Sequence, residues 1–68
     1  MNWQELIIAI KRATQGSLVS IAKETGLSID VIGGMHSGRH TSRVEFNTGI
    51  TLIEYAKEVG ADMSRVKL

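Results

Sequence analysis

Cysteine is absent from this 68-residue chain. Its absence removes disulfides and thiolate metal sites together, and it fits a reducing interior. Proline is absent too, and there is no repeat, low-complexity segment or linker, so the chain reads as a single domain, 1–68. No apolar run approaches the ~20 residues that cross a bilayer. "LIIAI" is five residues long and follows Glu5, so it is neither a signal peptide nor an anchor. Aromatics are scarce. Trp3 and Tyr55 read as core or interface residues rather than as platforms for bases. Charge of either sign is not in surplus, since the formal net charge is +1, which by itself says little about partners.

Catalytic signals are missing as well. No paired carboxylates suggest a cleft, and no nucleophile has a base at workable spacing. Gly33 and Gly34 fall inside a helical pattern and do not make a phosphate loop. His36 and His40 are four residues apart, but no neighbouring Asp, Glu or Cys completes a ligand set. An enzyme is therefore not expected, nor a metal or other cofactor. With a chain this short, only about 60% of the unfolded surface is buried on folding. Tight helical packing or a partner subunit must supply the remaining stability.

What is present is helical periodicity, and hydrophobic residues make up 43% of the chain. Trp3, Leu6, Ile7 and Ile10 share one face of a first helix over roughly residues 3–13. Asn2 and Glu5 suit its capping box, Lys11 and Arg12 suit its C-terminal dipole, and Gly16 breaks the pattern. Ser17 caps a second helix with Leu18, Ile21 and Ala22 inward, and Gly26 stops it. Ser28 caps a third, with Asp30 in its first turn, Ile32 and Met35 inward, and Gly38 at its end. Val44 and Phe46 are expected to touch the core. Asn47 or Thr48 is expected to cap a fourth helix whose inward stripe is Ile50, Ile53 and Ala56, with Leu52 and Val59 beside it. Gly60 closes that helix. Asp62 caps a last turn through Met63 and Val66, or else the ending "RVKL" is extended. The fold class is all-α, a compact domain of four to five helices.

The second and third helices are joined by Thr25, Gly26 and Leu27 alone, which is helix-turn-helix spacing. Such a pair needs a small residue where the helices cross, a positive-φ residue four positions later, an apolar pin after it and another inside the third helix. Ala22, Gly26, Leu27 and Ile32 meet these four demands. With them in place, "SLVSIAKETGLSIDVIGGMHSG" resembles the helix-turn-helix, about 17–37, of the phage lambda repressor and Cro superfamily. "FNTGITLIEYAKEVGADMSRV" is similar to the later helices of all-helical Cro and repressor domains, so the resemblance covers nearly the whole chain. It implies a five-helix DNA-binding domain of the bacterial cytoplasm or nucleoid that pairs as a homodimer and regulates transcription.

The resemblance also makes the third helix the recognition helix. Carried across, its base-facing positions are Ser28, Ile29, Asp30, Gly33 and Gly34, with Ser37 further along. Relatives often hold Gln, Asn, Lys or Arg at several of these places, because such side chains reach bases bidentately. This chain instead offers a hydroxyl, a branched apolar group, a carboxylate and two hydrogens. The segment MHSGRHTSRV, residues 35–44, holds basic groups and no acid, whereas the acids lie at Glu5, Glu24, Asp30, Glu45, Glu54, Glu58 and Asp62. His36, Arg39, His40 and Arg43 are thus candidates for phosphate, and one of the arginines for a guanine edge. Gln15 and Ser17 precede the second helix, whose N-terminus suits a phosphate. Leu18 stands where many relatives carry a phosphate-binding glutamine. The paired glycines leave two readings open: close helix packing, or deep approach of a bare backbone to the groove.

The same fold would also serve as a protein-interaction module, such as an antirepressor that pairs with another regulator. The near-zero net charge and the unusual third helix favour that alternative.

Overall fold

Four α-helices and no strand make up the described residues, 2–38 and 46–66, of a computed structural model of the chain. They are α1 (Trp3–Thr14), α2 (Leu18–Thr25), α3 (Ile29–His36) and α4 (Phe46–Glu58). Val44, expected at the core, lies outside the described residues.

The helix starts follow the polar residues that precede them. Asn2 Oδ1 accepts the Glu5 N–H at 3.2 Å and opens α1. Ser17 and Ser20 form a reciprocal capping box at α2: the Ser20 N–H donates to Ser17 Oγ at 3.2 Å, and the Ser17 N–H donates to Ser20 Oγ at 3.0 Å. Ser28 Oγ accepts from the Asp30 and Val31 N–H groups and opens α3. Each cap satisfies donors that a helix cannot satisfy itself.

Two helices end by one device. Gly26 takes φ 73° after α2, and the Leu27 N–H donates to the Ala22 carbonyl at 3.1 Å. Gly60 takes φ 72° after α4, and the Ala61 N–H donates to the Ala56 carbonyl at 2.9 Å. Both are Schellman closures, in which the residue after the glycine turns back onto the helix it leaves. At the end of α1 the left-handed residue is Gln15, at φ 52°, and Gly16 follows it, beyond the helix as the sequence requires. Gly16 is needed for space, because a Cβ there would collide with the Ser20 hydroxyl of the capping box. Likewise α3 stops at His36, and Gly38 adopts φ 83° two residues later.

The core is one cluster drawn from every helix. Leu6, Ile7, Ile10, Ile21, Ile32, Met35 and Leu52 are fully buried. Each such side chain contributes roughly 1.5–3 kcal/mol by leaving water. Ala22, Ala56 and Val66 complete the cluster, and Trp3, Leu18 and Leu27 pack against it. The face of α1 is as the spacing requires. That of α4 is rotated from the expected one: Gly49, Leu52 and Ala56 are its buried residues. Ile50, expected inward, is 37% exposed, and Phe46 is 79% exposed. Gly49 suits this rotation, since a Cβ there would sit 2.7 Å from Cη2 of Trp3. The indole occupies the space above that glycine. The start of α4 also differs, because Asn47 and Thr48 lie inside the helix rather than capping it.

Residues 61–66 form a turn and neither a fifth helix nor an extended strand. Asp62 Oδ1 accepts the Ser64 N–H at 3.0 Å, the Val66 N–H donates to the Met63 carbonyl at 3.0 Å, and Val66 is buried.

Candidate nucleic-acid interface

Gly26 and Leu27 fix how α3 leaves α2. The Ala22 carbonyl receives both the Gly26 and Leu27 N–H groups, so the turn is held by the last turn of α2 itself. Thr25 Oγ1 reinforces it by donating to the Ile21 carbonyl at 2.7 Å. Ala22 is buried, and its single methyl allows close packing between α2 and α3. From inside, Ile32 and Met35 anchor α3 in the core. On the far side, Gln4 Nε2 donates to the His36 carbonyl at 2.9 Å, tying the end of α3 to the start of α1.

Anchored in this way, α3 turns its N-terminal end outward. Ser28, Ile29 and Asp30 are exposed, Ile29 to 44%. The Ser28 oxygen accepts two backbone N–H groups, which leaves its own proton to donate. Asp30 lies in the first turn, where the helix dipole stabilises its charge.

The two glycines part company. Gly34 is buried, so it drops from the base-facing set expected of α3. Gly33 is half-buried, and a Cβ built on it would meet nothing within 4 Å. Packing among the described residues therefore gives no reason for glycine at residue 33. Ser37 is exposed, and its hydroxyl donates to the Gly34 carbonyl at 3.0 Å.

The phosphate candidates are spread more widely. Gln15 and Ser17 are exposed beside the N-terminus of α2, and His36 is half-buried. Arg39, His40 and Arg43 lie outside the described residues. Sequence reasoning passed over Val19 and Lys23, which are four residues apart and both exposed on α2, Val19 to 57%. Counting outward positions along α2 would have found them, since they lie on the side opposite Ile21.

A second concave feature lies apart from α3. It is an open cleft of about 310 Å³ lined by α1 and the C-terminal turn, with Glu5, Ile8, Arg12, Asp62 and Arg65 on its walls. The hydrogen bonds from Ser64, backbone first and then hydroxyl, hold the Asp62 carboxyl below its ordinary value, with Arg65 and Arg12 adding to the effect. Elsewhere, burial pushes the Tyr55 hydroxyl above its ordinary value, and Glu24 and Glu58 push it further. None of the described candidate DNA-contacting residues lines the cleft.

Among the described residues, no group of three or more His, Cys, Asp or Glu could hold a metal ion. No described helix is long and apolar enough to cross a membrane. The site and fold define a small all-α protein with an outward-facing short helix. No protein-family model, curated protein or solved structure matches the chain.

Proposed function

We propose that this chain is a sequence-specific DNA-binding regulator of the Cro and repressor kind. In this reading it acts as a homodimer on a pseudo-palindromic operator, with α3 entering the major groove from Ser28. One observation carries it: α3 is anchored from inside by Ile32 and Met35 while Ser28, Ile29 and Asp30 stand exposed at its start. That is the end a recognition helix presents to base edges. Ser28 donates to a base or a phosphate, Ile29 meets a thymine methyl, and Asp30 accepts from a cytosine amino group. Gly33 lets the groove wall come close. Such a face reads few bases, so DNA shape and the second half-site, roughly 34 Å away, carry much of the specificity.

The test is selection from a randomised duplex library, then titration of the selected duplex at several salt concentrations. Affinity falls steeply with salt and exceeds that for random DNA. Equal affinity for both duplexes, or a flat salt response, contradicts the reading.

A second reading, a protein-interaction module of the antirepressor type, draws on the make-up of the same face. Among the described residues the exposed start of α3 holds Asp30 and Ile29 but no cation. Substituting Arg39 and Arg43 by Ala separates the two. Loss of duplex binding with an unchanged fold supports the DNA reading, and unaltered function supports the protein module.

A further inference from the structure

On α4, Phe46, Ile50, Ile53 and Lys57 are separated by four, three and four residues. At 100° per residue they fall within about 60° of the helix circumference. This is the seam spacing of a coiled coil. Phe46, Ile50 and Lys57 are exposed, while Ile53 is half-buried and packs against the core, so the seam runs beside the core-facing side of α4 with Ile53 at its inner edge. The indole of Trp3 lies against Gly49, on the neighbouring face of the helix.

We propose that α4 packs antiparallel against α4 of a second copy of this chain, through this seam. The inference deepens the homodimer part of the proposed function and rests on that reading for its biological purpose. The seam selects its occupant because it is its own complement when reversed. Antiparallel pairing sets Phe46 opposite Lys57 and Ile50 opposite Ile53, at both ends alike. Each ammonium then lies over an aromatic face. On the flank, Asn47 can donate to Glu54 of the other copy, both being exposed. A parallel pair would bring Lys57 onto Lys57. A two-fold axis across the helices generates the antiparallel arrangement, with each copy presenting the same patch. The seam spans about 16 Å, so the contact is small and the dimer is concentration-dependent.

The experiment is sedimentation equilibrium of the full chain without DNA, from micromolar to millimolar concentration. The unsubstituted chain reaches twice its monomer mass at the upper end. Ile50→Glu and Phe46→Glu, both at exposed positions, stay monomeric with unchanged helix content by circular dichroism. A chain that is monomeric throughout, or a dimer that survives both substitutions, overturns the seam. Orientation is read by cross-linking, which is clean because the chain has no native cysteine. A mixture of Phe46→Cys and Lys57→Cys proteins forms disulfide dimers faster than either alone, whereas faster self-linking of Phe46→Cys refutes the antiparallel pairing. No DNA is present, so the two readings fail separately. A seam dimer that ignores every duplex removes only the DNA reading, and a dimer indifferent to Ile50→Glu removes only the seam.

Discussion

The exposed start of α3 holds Ser28, Ile29 and Asp30 with the half-buried Gly33 behind them, whereas the exposed side of α4 carries Phe46 and Ile50 among Asn47, Glu54, Lys57 and Glu58. Both helices are anchored by two buried residues one turn apart: Ile32 and Met35 in α3, Leu52 and the smaller Ala56 in α4. The anchors therefore explain the fold, and the outward faces differ for other reasons. A bare polar face keeps its water until a polar surface replaces it. An apolar seam loses free energy to water until another apolar surface covers it. The small domain thus carries two outward surfaces of different character.

The largest expected effect separates anchor from surface. Ile32→Ala removes a fully buried side chain and costs about 2–5 kcal/mol. Ile50→Ala, on the open seam, costs about 0.5 kcal/mol in the monomer. Urea denaturation at low protein concentration checks both, since dimerisation would otherwise add to the second. Equal costs would mean that Ile50 belongs to the core.

Next come the glycines. Gly49→Ala drives a methyl into the Trp3 indole and costs about 1–3 kcal/mol as the ring is displaced. Gly33→Ala meets open space and removes a helix-weakening residue. It raises stability by roughly 0.5–1 kcal/mol. Thermal unfolding gives the two signs. If Gly33 admits the groove wall, the same substitution weakens binding of the selected duplex, so stability and affinity move in opposite directions. Unchanged affinity would remove Gly33 from the contact surface.

These glycines also show where the sequence could be read and where it could not. Asn2, Ser17, Gly26, Ser28 and Gly60 mark helix ends through local chemistry, and each acts within five residues of itself, so local reading finds them. The rotation of α4 was not legible. Ile53 and Ala56 do face the core, but Ile50 looked inward only because it is apolar, and the position that packs against the indole is Gly49, which has no side chain to betray it. Its partner, Trp3, lies at the other end of the sequence. Phe46 misled for the same reason: apolarity says that a residue seeks cover, not which surface covers it. The doublet Gly33–Gly34 left packing and groove approach open, and the fold gives Gly34 a buried place and Gly33 an open one.

The smallest effect tests the C-terminal turn. The Asp62 carboxyl is held below its ordinary value of 3.8. Its ionised form is therefore favoured by folding. That contribution is full above the unfolded-state value and is lost as pH falls through the lower folded value. Asp62→Asn keeps an oxygen for the Ser64 N–H but has no charge to titrate. Stability below about pH 4 should fall less steeply in that variant, and NMR titration of the Asp62 side chain should give a midpoint below 3.8. A midpoint at or above it would mean that the turn does not hold the carboxylate.

The most direct test of the central claim is amide chemical-shift mapping of the labelled chain as the selected duplex is added. The account predicts the largest changes at Ser28, Ile29, Asp30 and Gly33, with smaller ones at Ser17 beside the start of α2. Changes centred on Phe46, Ile50 and Lys57 instead, or none on α3, would contradict it.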